Sequence, residues 1–198
     1  MRTKDIVWLV LLALAVLLTL CVKYVPYLPG DVGFTRFVQS VLPESKHWAQ
    51  SVSSTAEVPW VLGLIALTFF LSWAIAGWRA ALLAIVSFVG LWLLGKWLGP
   101  VIAQPRPSPE LVQVSGSLSG SAFPSIFAFN YISTLGFLAV LAVVKSSGKL
   151  RWTLLIVCSA LLILGWVARV ELAAHWPSDV AISYLIGLLW VSLLIRFI

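Results

Sequence analysis

Polar residues vanish from this chain in long blocks rather than at alternate positions. Charge-free runs cover 6–22, 58–78 and 152–168. A fourth lies within 111–144, taken here from Pro124 onward, and two more, 80–98 and 179–195, carry charges only near one end. A helix needs about 20 apolar residues, with about 17 as a lower bound, to cross the hydrocarbon of a bilayer. The pattern therefore predicts an all-α fold, a six-helix transmembrane bundle built as a single domain over 1–198, with spans near 6–22, 58–78, 80–98, 124–144, 152–168 and 179–195. Membrane-spanning strands would alternate apolar and polar residues in shorter segments, and no segment here does. No internal repeat is evident.

Composition agrees. Of 198 residues, 61% are hydrophobic and only 10% charged, and the mean hydropathy is +1.04. Soluble domains average about 25% charged residues. Arg2 and Lys4 precede the first apolar run as they would in a signal peptide, but no small-x-small cleavage pattern follows, so the run is expected to be retained as a span. Cys21 and Cys158 lie in or beside spans and are not expected to pair.

With the N-terminus inside, the inner side carries Arg2, Lys4, Arg79, Lys145, Lys149, Arg151 and Arg196 with one acidic residue. The outer side carries six basic and six acidic residues. The bias follows the positive-inside rule weakly. It strengthens if Lys96, Arg106 and Arg169 are outside for a separate reason. Trp60, Trp78, Trp97, Trp152, Trp166 and Trp176 fall near span ends, where amphipathic rings settle. In the outer loop, "PESKHWAQSVSS" reads either as an interfacial helix over a pocket or as a plain connector.

Three polar segments gather at the outer edge: "KWLGPVIAQPRP" (96–107), "SAFPSIFAFN" (121–130) and "ARVELAAHWPSD" (168–179). Charged residues at membrane depth are costly and mark function. Lys96, Arg106 and Arg169 are three cations suited to phosphate oxygens. Pro124 at a first helical position would leave amides near Ser125 and Ile126 free for an anion, and the Ser125 hydroxyl would add a donor. Plain helix capping is the alternative for this stretch. Pro177 is expected to start the last helix, with Asp179 in its first turn. There Asp179 would orient His175 and leave its other ring nitrogen to attack phosphorus. The alternative is an interfacial histidine beside a capping aspartate.

These segments resemble the motifs of the type 2 phosphatidic acid phosphatase family, integral-membrane lipid phosphatases whose pattern is K-x6-R-P, P-S-G-H and S-R-x5-H-x3-D. The third motif fits as Arg169, His175 and Asp179 at the right spacings, with Ala168 in place of the leading Ser. The resemblance implies His175 as nucleophile, Asp179 as its partner, and Arg106, Ser125 and Arg169 as phosphate ligands. It implies no metal or other cofactor. The expected partners are a lipid phosphate and the bilayer, with no nucleic acid. The implied setting is a bacterial plasma membrane with the site on the extracytoplasmic side.

Two departures alter the expectation. Lys96 precedes Arg106 by ten residues instead of seven, an excess close to one helical turn that Gly99 and Pro100 would have to absorb. Ile126 and Phe127 stand where the family has Gly-His, and that histidine is the acid that protonates the leaving group. General acid catalysis is worth about 100- to 10,000-fold, so hydrolysis should be slowed. An isoprenyl diphosphate such as undecaprenyl diphosphate, with its better leaving group, suits the chain more than phosphatidic acid. His47 is the one other histidine, either a solvated loop residue or a substitute acid. The alternative function is a catalytically inactive protein that binds lipid phosphates.

Overall fold

The structure, a computed structural model, describes residues 3–116 and 118–198, so Arg2, counted above among the inner cations, lies outside the described residues. Eight helices follow in order: α1 Thr3–Tyr24, α2 Asp31–Val41, α3 His47–Ser54, α4 Trp60–Ala76, α5 Trp78–Ile102, α6 Ile126–Lys145, α7 Gly148–Glu171 and α8 Pro177–Ile195. There is no strand among the described residues. Five helices, α1 and α5 to α8, are long and apolar enough to cross a membrane. The run expected as a span over 58–78 forms α4, an apolar helix of 17 residues that is shorter than those five. Cys21 and Cys158 are both free thiols.

The helices differ in how much apolar surface the protein itself covers. In α6, 83% of the most apolar stretch is buried, against 11% in α1. The central helix is therefore α6, while α1 presents most of its side chains outward. Lipid tails are as apolar as leucine, so close packing, not hydrophobic exclusion, must hold such helices together. Glycines supply the closeness. A Cβ on Gly95 of α5 would lie 2.4 Å from Ile126 Cδ1, one on Gly165 of α7 2.8 Å from Phe127 Cε1, and one on Gly187 of α8 2.1 Å from Ile132 Cγ2. Three surrounding helices thus each receive a large side chain of α6 onto a bare backbone.

Midway along α6, residues Ile132–Gly136 widen into a π-turn. The Ser133 and Thr134 hydroxyls donate to the Asn130 carbonyl at 3.0 and 2.6 Å, drawing that carbonyl from the regular ladder. At the periphery, the Trp8 indole of α1 donates to the Leu189 carbonyl and the Ser192 hydroxyl of α8, each at 3.2 Å. Asp5 and Arg196 pair at 2.9 Å, which brings the first and last helices together at one end.

The short α2 and α3 cap the opposite end. The "PESKHWAQSVSS" segment is helical where α3 runs, and Ala49 of α3 packs against Ala168 and Leu172. Asp31 at the start of α2 is buried and accepts from the Ser178 amide and hydroxyl at 3.0 and 2.7 Å, fastening α2 to the head of α8. Trp176, expected at the interface, is instead 1% exposed, its ring 5.2 Å from that of Tyr27.

Gly187→Leu should break the α6–α8 approach, because Ile132 is fixed at its Cβ and cannot swing aside. A loss of about 1–3 kcal/mol is expected for such overpacking, read as a lower unfolding temperature in detergent. An unchanged transition would mean that the two helices do not pack as described.

Candidate functional site: an arginine-lined cavity with a histidine

At the capped end, a cavity of about 240 Å³ opens among α3, α6, the α5–α6 connection and the turn between α7 and α8. Arg106, Arg169 and His175 all line it, as do Ser53, Glu57 and Asn130. The expectation that segments far apart in sequence meet in one pocket is met for these three residues.

Arg169 projects from the last turn of α7 and is 8% exposed. One terminal nitrogen donates to the Ser53 hydroxyl, and the guanidinium carbon lies 5.3 Å from the centre of the Phe127 ring. Its Nε is buried without a partner, and among the described residues no carboxylate pairs with it. A buried cation without a counter-charge is expensive. Arg106, in the α5–α6 connection, is clamped by carbonyls: it donates to Ala174 at 2.5 Å, Gly120 at 3.2 Å and Ser119 at 3.3 Å. Its guanidinium has five N–H groups, so two stay available. Burial lowers its pKa below the usual arginine range, opposed by the charge of Asp179.

His175 sits in the five-residue turn between α7 and α8, where Ala173 adopts the left-handed region at φ 49°. Its Nδ1 lies 2.6 Å from the Ala122 carbonyl. A carbonyl only accepts, so Nδ1 carries the proton and Nε2 keeps its lone pair. Burial lowers the His175 pKa well below 6.5, and the charges of Arg169 and Arg106 lower it further, against the pull of the Ala122 carbonyl. The imidazole is held neutral in one tautomer, the state a nitrogen nucleophile needs.

Asp179 was expected to hold His175, but no hydrogen bond joins the two: its Oδ2 is engaged elsewhere and its Oδ1 is buried without a partner. Pro177 begins α8 as anticipated, which makes Asp179 the third helical residue. From there its Oδ2 accepts the Trp176 amide at 2.9 Å, while its own amide donates to the Trp176 carbonyl at 3.0 Å. The exchange closes the first turn of α8. Asp179 thereby fixes the turn that presents His175, and the Ala122 carbonyl orients the ring.

Ser125 also takes a capping role. It is fully buried, Pro124 precedes it, and the helix begins at Ile126. The Ser125 hydroxyl accepts the Ala128 amide at 3.3 Å, and its own amide donates to the Ser183 hydroxyl at 3.0 Å. Serine is a preferred N-cap, which places Pro124 outside the helix instead of at its first position. Lys96 is not brought to the cavity. Helix α5 runs on through Gly99 and Pro100 to Ile102, so those residues do not reset its register. Lys96 stays exposed, 5.7 Å from the centre of the Trp92 ring, while neighbouring Gly95 meets α6.

Four groups escaped the sequence reading. Ser53 and Glu57 lie in and just after the segment considered as a lid. Asn130 was detectable as a lone amide inside an apolar span; its Nδ2 donates to the Ala56 carbonyl at 3.1 Å and its Oδ1 is buried without a partner. The Ala122 carbonyl is backbone and leaves no mark in the sequence. His47 opens α3, six residues before Ser53 and about 9 Å from it along the helix axis, and it is not part of the cavity wall.

No protein-family sequence model matches the chain, and no curated protein matches it in sequence. Its fold matches that of a solved structure, a transmembrane PAP2-type phosphatidylglycerolphosphate phosphatase from Bacillus subtilis. The TM-score is 0.78 over 96% of this chain and 94% of that one, at 20% sequence identity. The likeness establishes the fold, an all-helical bundle shared with that protein, and the five long apolar helices fit an integral membrane protein.

Because His175 resists protonation, histidine-selective NMR in detergent should show its ring still neutral when the pH is taken below 6.5. His175→Gln would assign the signal. In that range the unfolded chain binds a proton that the folded chain refuses, so acid also lowers stability. A His175 that titrates at its ordinary value would overturn this account of the turn.

Proposed function

We propose that the chain is a lipid phosphatase of the type 2 phosphatidic acid phosphatase family, acting on a lipid phosphate or an isoprenyl diphosphate through a phosphohistidine. The observation that carries this is the meeting of a buried Arg169 that forms no ion pair with a neutral His175 in one cavity. An anionic phosphate supplies the charge that Arg169 lacks, and the two unclaimed N–H groups of Arg106 complete a planar, multidentate cradle. Nε2 of His175 attacks phosphorus opposite the leaving oxygen, and the P–O bond breaks as the P–N bond forms. Water then cleaves the P–N bond and releases inorganic phosphate.

Phe127 stands at the cavity wall with no proton to give. The leaving oxygen must then need none, as in a diphosphate whose product is a stable phosphate monoester, or find one elsewhere on the wall. The same cradle without turnover would make a lipid-phosphate-binding protein, and a phosphate-release assay with an isoprenyl diphosphate and with phosphatidic acid separates the two. His175→Ala should reduce release to background and abolish acid-labile phosphate on the trapped protein. Arg169→Gln removes charge-assisted hydrogen bonds worth about 1.5–3 kcal/mol, a loss of roughly 10- to 100-fold in kcat/KM. Release that survives His175→Ala would exclude the phosphohistidine route.

The proposed setting is a six-crossing protein in a bacterial plasma membrane, with the cavity on the extracytoplasmic face. The Asp5–Arg196 pair supports an even number of crossings, since it holds the first and last helices at one end. In a Cys21→Ser background, a cysteine in place of exposed Glu110 should react with an impermeant thiol reagent outside intact cells. One in place of exposed Lys149 should react only after the cells are opened. The reverse pattern would invert the topology.

A further inference from the structure

Breaking a P–O bond to an alkoxide needs a proton in the transition state. The cavity wall offers few sources. Arg106 and Arg169 serve as charge. The Nδ1 proton of His175 is committed to the Ala122 carbonyl, and its Nε2 is the attacking atom. Phe127 has no exchangeable proton, and the Asn130 amide is bound to the Ala56 carbonyl. Asp179 and Glu171 are buried away from the wall. His47 lies at the far end of α3.

One titratable group is left. Glu57 lines the same cavity as Arg106, Arg169 and His175, and it is the single carboxyl on that wall among the described residues. It also borders the neighbouring recess beside Ser53 and Arg169, so it stands at the rim between the cavity and solvent. Its backbone is fixed on both sides: its amide donates to the Ser54 carbonyl at 2.9 Å, and its carbonyl accepts the Val61 amide at 2.9 Å. The link from α3 to α4 is thereby pinned, and α3 is the helix whose Ser53 grips Arg169. Among the described residues the exposed Glu57 carboxyl makes no ion pair or hydrogen bond, and Arg169 is the cation close enough to feel its charge.

We propose that Glu57, facing His175 across the arginine-lined cavity, is the acid that protonates the leaving oxygen. This rests on the phosphatase reading above. In the first half-reaction, Nε2 of His175 bonds to phosphorus, the P–O bond to the alcohol breaks, and the Glu57 carboxyl passes its proton to the departing oxygen. In the second half-reaction, water attacks the phosphohistidine, its proton returns to the Glu57 carboxylate, and the P–N bond breaks. Protein and proton count are restored, and the net reaction is hydrolysis.

The test compares leaving groups. Single-turnover release is measured for phosphatidic acid, whose alkoxide needs a proton, and for p-nitrophenyl phosphate, whose phenolate does not. Glu57→Gln should slow release from phosphatidic acid on the order of 100-fold, the usual worth of a positioned acid, and cost the aryl ester far less. Phe127→His added to Glu57→Gln should recover phosphatidic acid turnover by placing a protonatable ring on the same wall. Equal slowing of both substrates would mean that Glu57 only shapes the cavity, and no slowing of either would mean that it has no part; both overturn the assignment. If the unsubstituted protein releases nothing from either substrate, the phosphatase reading itself fails and this assignment falls with it. Turnover that is indifferent to Glu57→Gln refutes the assignment alone.

Discussion

The guanidinium of Arg169 is buried with a hydroxyl and an aromatic face for company, and among the described residues no carboxylate forms an ion pair with it. Desolvating an unpaired charge costs several kcal/mol, and neither the Ser53 hydroxyl nor the Phe127 ring returns that much. A ligand of opposite sign would offset that cost, which is why the proposed function starts from this residue. Much of the end of the molecule capped by α2 and α3 is arranged around it. Helix α3 packs on α7 and delivers Ser53, α6 supplies the ring beneath, and the turn after α7 carries His175 to the same cavity.

That arrangement is only as firm as the packing below it. The cavity draws on three regions of the chain that share no local structure, and the central helix α6 couples them. Gly95, Gly165 and Gly187 let α5, α7 and α8 approach it until backbone meets side chain. Phe127 belongs to both layers: one face of its surroundings is the Gly165 contact, and the other is the Arg169 guanidinium. A phenylalanine here therefore does more than omit a proton donor. It ties the position of the Arg169 guanidinium to the helix core.

The spans were legible because apolar length is a local property. Their ends were less so. Helix α7 starts at Gly148, ahead of the expected 152, since Lys149 and Arg151 can stay helical while their long side chains reach the membrane surface. The Arg169, His175 and Asp179 spacing was legible too, and Pro177 marked the start of α8. What Asp179 does with its carboxylate was not, because the free Trp176 amide that claims it exists only once α8 has begun.

By itself, the sequence determined a helical membrane bundle, the positions of its apolar runs, and a short list of residues able to handle phosphate. Each of these depends on composition or on spacing within a turn or two. Only the tertiary structure decided which of the listed residues meet. Lys96 faces outward because Gly95 turns the adjacent face of α5 toward α6, and Ser125 is consumed by the helix it caps. The Ala122 carbonyl, Ser53 and Glu57 enter through contacts across 53, 116 and 118 positions of chain, respectively to His175, to Arg169 and to the shared wall with His175. No local pattern encodes such meetings, because they follow from how closely the helices pack.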